Sequence, residues 1–117
     1  MKKIILVEDD EAIRHAFSIA LNPYSYKLES YASGEKIIDN TVKAPDLFIL
    51  DKNIPGPNGL DICRHIKSNN KYKHVPVLMM SAHPQLELLA KQVGADGIIS
   101  KPFSLDILRA IVAHSIN

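Results

Sequence analysis

Four short apolar runs constrain this chain more than any other feature: Ile4-Ile5-Leu6-Val7, Leu47-Phe48-Ile49-Leu50, Val75-Pro76-Val77-Leu78-Met79-Met80 and Gly97-Ile98-Ile99. Runs of this kind suit the central strands of a parallel sheet, which are covered on both faces and need no polar alternation. Between them the spacing becomes helical. Ile13, Phe17, Ala20 and Leu21 share one face, and Leu60, Cys63, Ile66 and the stem of Lys67 share another. Leu86, Leu89, Ala90 and Val93 form a third stripe, and Leu105, Leu108, Ile111 and Val112 a fourth. A more polar strand is predicted over Tyr26–Tyr31, where the charge suits a sheet edge. A weaker helix is predicted over Gly34–Val42, around Ile37 and Ile38.

The punctuation agrees with that division. Asn22-Pro23 closes the first helix, Ala44-Pro45 precedes a strand, and Pro55-Gly56-Pro57-Asn58-Gly59 is a dense turn. Gly94 falls where a helix end calls for a left-handed residue. Ser104 is placed to cap the last helix, with Asp106 in its first turn. Five βα units in a row imply an α/β fold: one doubly wound parallel sheet with right-handed crossovers and helices on both faces. In such sheets ligands gather outside the carboxyl ends of the strands.

Composition narrows the function. A chain of 117 residues is expected to form one domain, residues 1–117. Fourteen Lys and Arg against thirteen Asp and Glu leave a net charge of +1, without the basic stripe of a nucleic-acid domain. The single cysteine, Cys63, excludes an internal disulfide and a thiolate metal cluster, and its apolar stripe marks it as a small buried hydrophobe. No apolar run approaches the roughly 20 residues that span a bilayer. Lys2 and Lys3 begin like a signal peptide, but the apolar stretch ends in acid after Val7, short of a roughly 7–15-residue hydrophobic region. The expected location is the cytoplasm.

The chemistry stands at the strand ends. Strand one runs into Glu8-Asp9-Asp10, strand three into Asp51, strand four into Ser81-Ala82 and strand five into Ser100-Lys101-Pro102. Each residue alone has an ordinary explanation as a cap, a turn residue or a solvated side chain, and capping is the expected task of Asp10. Together they are harder to dismiss. Carboxylates held close together raise one another's pKa unless a cation joins them. Lys101 supplies one positive charge. Oxygen-only ligands, with no paired His or Cys, point to Mg²⁺ for the rest. A carboxylate such as Asp51 can attack phosphorus and form an aspartyl-phosphate. A cation held by Glu8, Asp9 and Asp51, the Lys101 ammonium and the Ser81 hydroxyl could then neutralise the equatorial oxygens.

The chain closely resembles the receiver domains of two-component response regulators. The resemblance rests on Ile5-Leu6-Val7-Glu8-Asp9-Asp10-Glu11, Pro45-Asp46-Leu47-Phe48-Ile49-Leu50-Asp51, Ile54-Pro55-Gly56-Pro57-Asn58-Gly59, Met80-Ser81-Ala82, Gly94-Ala95-Asp96 and Ser100-Lys101-Pro102-Phe103. It implies a flavodoxin-like sheet of order 2-1-3-4-5. It implies Asp51 as phosphoacceptor, Asp9 as direct Mg²⁺ ligand, Glu8 acting largely through a bound water, and the backbone carbonyl of Asn53 as a third protein ligand. Ser81 resembles the switch hydroxyl, Ala82 the small residue that keeps the site accessible, and Lys101 the phosphate-pairing lysine. Pro102 often follows a cis bond in the family. Asn53 and His83 stand where family members line the path of attacking water.

The implied partners are a sensor histidine kinase or histidine phosphotransfer protein upstream, and a downstream protein bound through Ser81–Phe103 and the last helix. Neither nucleic acid nor membrane is expected to be bound directly. The domain is expected to be a signalling switch rather than a turnover enzyme. Two departures from the family pattern stand out. Ile98 occupies the position usually held by Tyr or Phe, so the aromatic readout of the switch is in question. Gly97 replaces an acid of a charged dimer face, so that dimer is not expected.

Other folds with similar acids fit the same residues less well. A haloacid-dehalogenase-type phosphatase needs a second Asp two residues after the nucleophile, and Asp51-Lys52-Asn53 lacks it. A Toprim-like nuclease fails for the same reason. A receiver-like module without phosphorylation is favoured only by Ile98. Lys67, Lys71, Lys73 and His74 are expected to form a solvated loop, and Met79-Met80 a core strand. No output domain follows the last helical stripe within these residues, which fits a stand-alone receiver or part of a longer protein.

Overall fold

The computed structural model describes residues 1–116. The elements alternate throughout: β1 (Lys2–Val7), α1 (Glu11–Ala20), β2 (Tyr26–Tyr31), α2 (Glu35–Ile38), β3 (Leu47–Asp51), α3 (Gly59–Ser68), β4 (Val77–Ser81), α4 (Leu86–Gln92), β5 (Gly97–Ser100) and α5 (Leu105–Ile116). The five strands are all parallel, in the order β2-β1-β3-β4-β5. The expected flavodoxin-like sheet is therefore present.

Strand alternation divides the core in two. Ile5, Val7, Phe48, Leu50, Val77 and Met79 pack on one face with α2, α3 and α4, through Ile37, Ile62, Ile66 and Leu86. Ile4, Leu6, Ile49, Leu78 and Met80 pack on the other with Phe17 of α1 and Leu108 and Val112 of α5. Both faces are covered at Ile4–Val7, Leu47–Leu50 and Val77–Met80, which is why those stretches are apolar without interruption. β2 lies at the edge and carries half-buried and exposed positions instead.

Caps stand where the sequence put them. Asp10 accepts from the amides of Ala12 and Ile13, and Ser104 from Ile107. Gly94 has φ +80° at the end of α4. A Cβ on Gly59 would overlap the backbone carbonyl of Asp51, so the start of α3 packs directly on the end of β3.

Three expectations need correction. The strand predicted from Val75 starts at Val77, because Pro76 has no N–H to give to a ladder. The helix predicted to Val42 stops at Ile38, and Asn40 follows in the left-handed region at φ 59°. The loop after α3 is only partly solvated. Tyr72 is fully buried, donates its hydroxyl to the Val42 carbonyl at 2.6 Å and meets Phe48 edge-on at 5.5 Å. Lys71 donates to the Asn40 carbonyl at 2.7 Å. Lys67 donates to Val75 O at 3.1 Å and Asp96 Oδ2 at 2.7 Å. Lys71, Lys73 and His74 are exposed as expected, whereas Lys67 is half-buried.

Candidate functional site

Register brings the predicted residues to one sheet edge. Val7 pairs with Leu50, Asp51 with Met80, and Ser81 with Ser100. The ladder continues one step past the strands: Lys52 N–H donates to Met80 O at 2.9 Å, and Lys101 N–H to Ser81 O at 3.0 Å. Glu8, Asp51, Ser81 and Lys101 thus leave neighbouring strands at the same level. The Lys101-Pro102 peptide is cis.

Lys101 lies between two acids. Its Nζ is 3.1 Å from Glu8 Oε1 and 3.3 Å from Asp51 Oδ2. Carboxylate oxygens of Glu8, Asp9 and Asp51 all lie within 4.8 Å of one another. Glu8 is fully buried and Asp51 nearly so, whereas Asp9 is exposed. Glu8 Oε2 is the one buried side-chain oxygen or nitrogen without a hydrogen-bond partner among the described residues.

The electrostatics follow from that crowding. Burial, then the adjoining Asp51 carboxyl, pushes the Glu8 carboxyl up to about 8 against the pull of Lys101. Burial disfavours the Lys101 ammonium, but Glu8 and Asp51 outweigh it and hold its pKa above the ordinary lysine value. One cation thus pairs with two buried carboxyl groups, one of them with an orphaned oxygen, and Asp9 adds a third carboxyl beside them. Such a site suits a hard cation with oxygen ligands, and the donor set present fits one.

Ser81 is almost fully buried, and its Oγ accepts the His83 amide at 3.0 Å. Asn53 is exposed, and its side-chain oxygen is 3.4 Å from Lys52 Nζ. Asp10 stands apart from the acid cluster as the cap of α1, as expected. Phe103 is half-buried and meets Phe17 edge-on at 5.6 Å, tying the loop after β5 to α1.

One residue of this neighbourhood has no place in the sequence reading. Arg14 of α1 donates from Nη1 to the Glu8 carbonyl at 2.8 Å. Its only sequence signal is a basic residue one turn into the helix that follows the acids.

A family model described as "Response regulator receiver domain" matches residues 4–113. The chain belongs to that family. It is 35% identical over 113 residues to the sensory transduction protein BceR of Halalkalibacterium halodurans, covering 94% of this chain and 48% of that protein. It is 32% identical over 114 residues to sporulation initiation phosphotransferase F of Bacillus subtilis, covering 95% of this chain and 90% of that one. Among solved structures, the chemotaxis protein CheY4 of Vibrio cholerae superposes with a TM-score of 0.86 at 30% identity, covering 98% of both chains. The chain spans about half the length of BceR, so the shared part is the receiver domain. A phosphorylation-dependent switch is the standard function of receiver domains. The buried acids and the lysine between them stand at the strand ends where the sequence reading sought the chemistry.

Proposed function

We propose that this receiver domain, residues 1–117, accepts a phosphoryl group on Asp51 from a sensor histidine kinase or a histidine phosphotransfer protein. An Asp51 carboxylate oxygen attacks phosphorus, the bond from phosphorus to the donor's imidazole nitrogen breaks, and the imidazole leaves with that electron pair. The product is an acyl phosphate on Asp51. Water later cleaves its P–O bond and returns the carboxylate and inorganic phosphate. The domain's own phosphorylation and dephosphorylation are its whole chemistry, so it acts as a switch and not as a turnover enzyme.

The residues divide the task. Lys101 pairs with one equatorial phosphoryl oxygen, and the Ser81 hydroxyl donates to another. Asp9, Asp51 and the Asn53 carbonyl would hold Mg²⁺, with Glu8 acting largely through a bound water. When bound, Mg²⁺ neutralises charge on the phosphoryl oxygens and on the acid cluster. A bound cation would favour the ionised form of Glu8. The rearranged Ser81–Phe103 region and α5 then bias a two-state equilibrium read by a downstream protein. That protein, rather than nucleic acid or a membrane, is the partner of this domain, and the expected compartment is the cytoplasm. No helix among the described residues is long and apolar enough to cross a membrane.

The observation that carries this reading is the imbalance at the strand ends: a single lysine between two buried acids, beside a carboxylate oxygen with no partner. The test is intact mass after incubation with Mg²⁺ and acetyl phosphate, beside an Asp51→Asn control. One Mg²⁺-dependent phosphoryl adduct, absent in the control, is expected. No adduct in the wild type, together with no spectral change on adding beryllofluoride, would sink the assignment and favour a phosphorylation-independent module.

A further inference from the structure

The turn that carries Asp9 is held on both sides of that residue. Glu8 N–H donates to Tyr31 O at 2.9 Å, one step past the paired strands β1 and β2. A parallel ladder would next give the Glu8 carbonyl the amide two residues beyond Tyr31. β2 ends at Tyr31, and Arg14 Nη1 takes that place, 2.8 Å from the carbonyl oxygen. On the other side, Asp10 accepts from the Ala12 and Ile13 amides, and its carbonyl accepts the Arg14 amide at 3.1 Å. Arg14 thus grips the turn twice, through its guanidinium before Asp9 and through its amide after it.

Asp9 itself adds nothing to this hold. Its side chain is exposed and makes no hydrogen bond or ion pair among the described residues. Glu8 and Asp51, by contrast, are buried and paired with Lys101. Yet an Asp9 carboxylate oxygen lies within 4.8 Å of oxygens on both. Only the backbone puts it there. Arg14 is half-buried and gives its one side-chain bond to a carbonyl, although three acids stand close by. A hydrogen bond from a charged donor is a stronger tie than one between neutral groups.

We propose that Arg14 is a positioning residue of the cation site: by holding the Glu8 carbonyl it fixes the peptide between Glu8 and Asp9 and presents the Asp9 carboxylate to Mg²⁺. The proposal rests on the reading of Asp9 as a direct ligand. The sign of the effect separates positioning from charge. As a charge alone, Arg14 repels a nearby cation, so its removal would tighten Mg²⁺ binding. As a positioning residue it holds Asp9 in place, so its removal weakens binding.

Mg²⁺ affinity would be measured from amide shifts of the β1–α1 turn in wild type, Arg14→Met, Arg14→Lys and Arg109→Met, at a temperature where all four are folded. Arg109 is the control for α1: its Nε donates to the Ala20 carbonyl at 2.8 Å, the same kind of bond at the far end of the helix. Arg14→Met is expected to bind Mg²⁺ about tenfold more weakly, as for loss of a group that orients a ligand. The bond uses one N–H, which an ammonium can supply, so Arg14→Lys is expected within about threefold of wild type. Arg109→Met should lower Tm but leave the affinity within about twofold of wild type, because it orients no ligand. In EDTA, the HN–Hα coupling of Asp9 should move toward an averaged value in Arg14→Met alone.

An unchanged or tighter affinity in Arg14→Met would overturn the proposal. So would an equal loss in Arg109→Met, no recovery in Arg14→Lys, or an Asp9 coupling that does not move. If wild type itself binds no Mg²⁺, the cation reading fails, and the proposal falls with it.

Discussion

Two lysines sit at opposite ends of the same sheet, and their surroundings differ in one respect. At the amino end, Lys67 meets one acid. It donates to Asp96 Oδ2 at 2.7 Å and to Val75 O at 3.1 Å, while Asp96 Oδ2 also accepts the Val77 amide at 2.8 Å. Charge is balanced there, and the knot ties α3 to the starts of β4 and β5. At the carboxyl end, Lys101 meets Glu8 and Asp51 with Asp9 alongside, and Glu8 Oε2 has no partner among the described residues. The same kinds of group make a closed structural tie at one end and an open, acid-rich site at the other. The difference lies in what is left over. A balanced pair holds the fold together, whereas an excess of buried acid is stable only when something cationic joins it.

The largest effect expected from breaking this contrast is on phosphoryl transfer. Lys101→Ala removes the only side-chain cation within salt-bridge distance of Asp51 and Glu8 among the described residues. The rate of adduct formation should fall by about 10²-fold or more, as for loss of one transition-state donor. Lys67→Met, at the other end of the sheet, should leave that rate within about twofold of wild type, an effect small beside loss of a direct donor. Time-resolved intact mass with acetyl phosphate separates the two. Equal losses would mean that the sheet ends are not functionally distinct.

For Lys67→Met the expected cost is in stability instead. Lys67→Met leaves Asp96 and the Val75 carbonyl short of a partner at a half-exposed site, which costs about 1–2 kcal/mol. In a domain of this size that lowers Tm by roughly 5–10 °C, measurable by calorimetry.

Glu8→Gln should instead stabilise the metal-free protein. Folded Glu8 holds its proton up to about 8, whereas its ordinary value is 4.5. Between those values the folded chain binds more protons than the unfolded chain, so stability falls as pH rises. Gln removes that slope. In EDTA at pH 8, Glu8→Gln should melt higher than wild type by several degrees, from a gain on the order of 1 kcal/mol. The two should converge near pH 4.5. A wild-type Tm that stays flat across that window would show that Glu8 is already ionised and matched.

Much of this contrast could be read in the sequence, for a definite reason. Strands buried on both faces must be apolar throughout, so Ile4–Val7 and Leu47–Leu50 declare themselves, and the polar residues just after them fall at one edge by topology alone. Glu8, Asp51, Ser81 and Lys101 are found that way. The amino-end tie is harder to see, because its partners come from helix, loop and strand start with no shared motif. Lys67 and Asp96 are 29 residues apart, and Tyr72 and Val42 are 30 apart. A lysine-rich loop therefore looked solvated while it held a buried tyrosine. The early end of α2 depends on the left-handed Asn40, which no periodicity announces. Arg14 was missed because its partner is a backbone carbonyl, which has no sequence signature.

The smallest effect should come from Ile98, which lies in the strand that joins the two ends. It pairs with Met79, is half-buried and packs against the α3 side of the core. Grooves of about 320 and 300 Å³ flank it, the first toward Ala90 and Ala95 of the α4 side, the second toward Ala110 and Ile111 of α5. Gly97 beside it offers no side chain to fill either. An aromatic ring at position 98 therefore has room on both sides without displacing a core residue. Ile98→Tyr should change stability by no more than about 0.5 kcal/mol and leave the rate of adduct formation unchanged, since Ile98 does not touch the acid cluster. What should change is the response to beryllofluoride: the introduced ring can exchange one groove for the other, and its NMR resonances would report which side it occupies before and after. A single unchanged ring environment would mean that β5 does not move with the site.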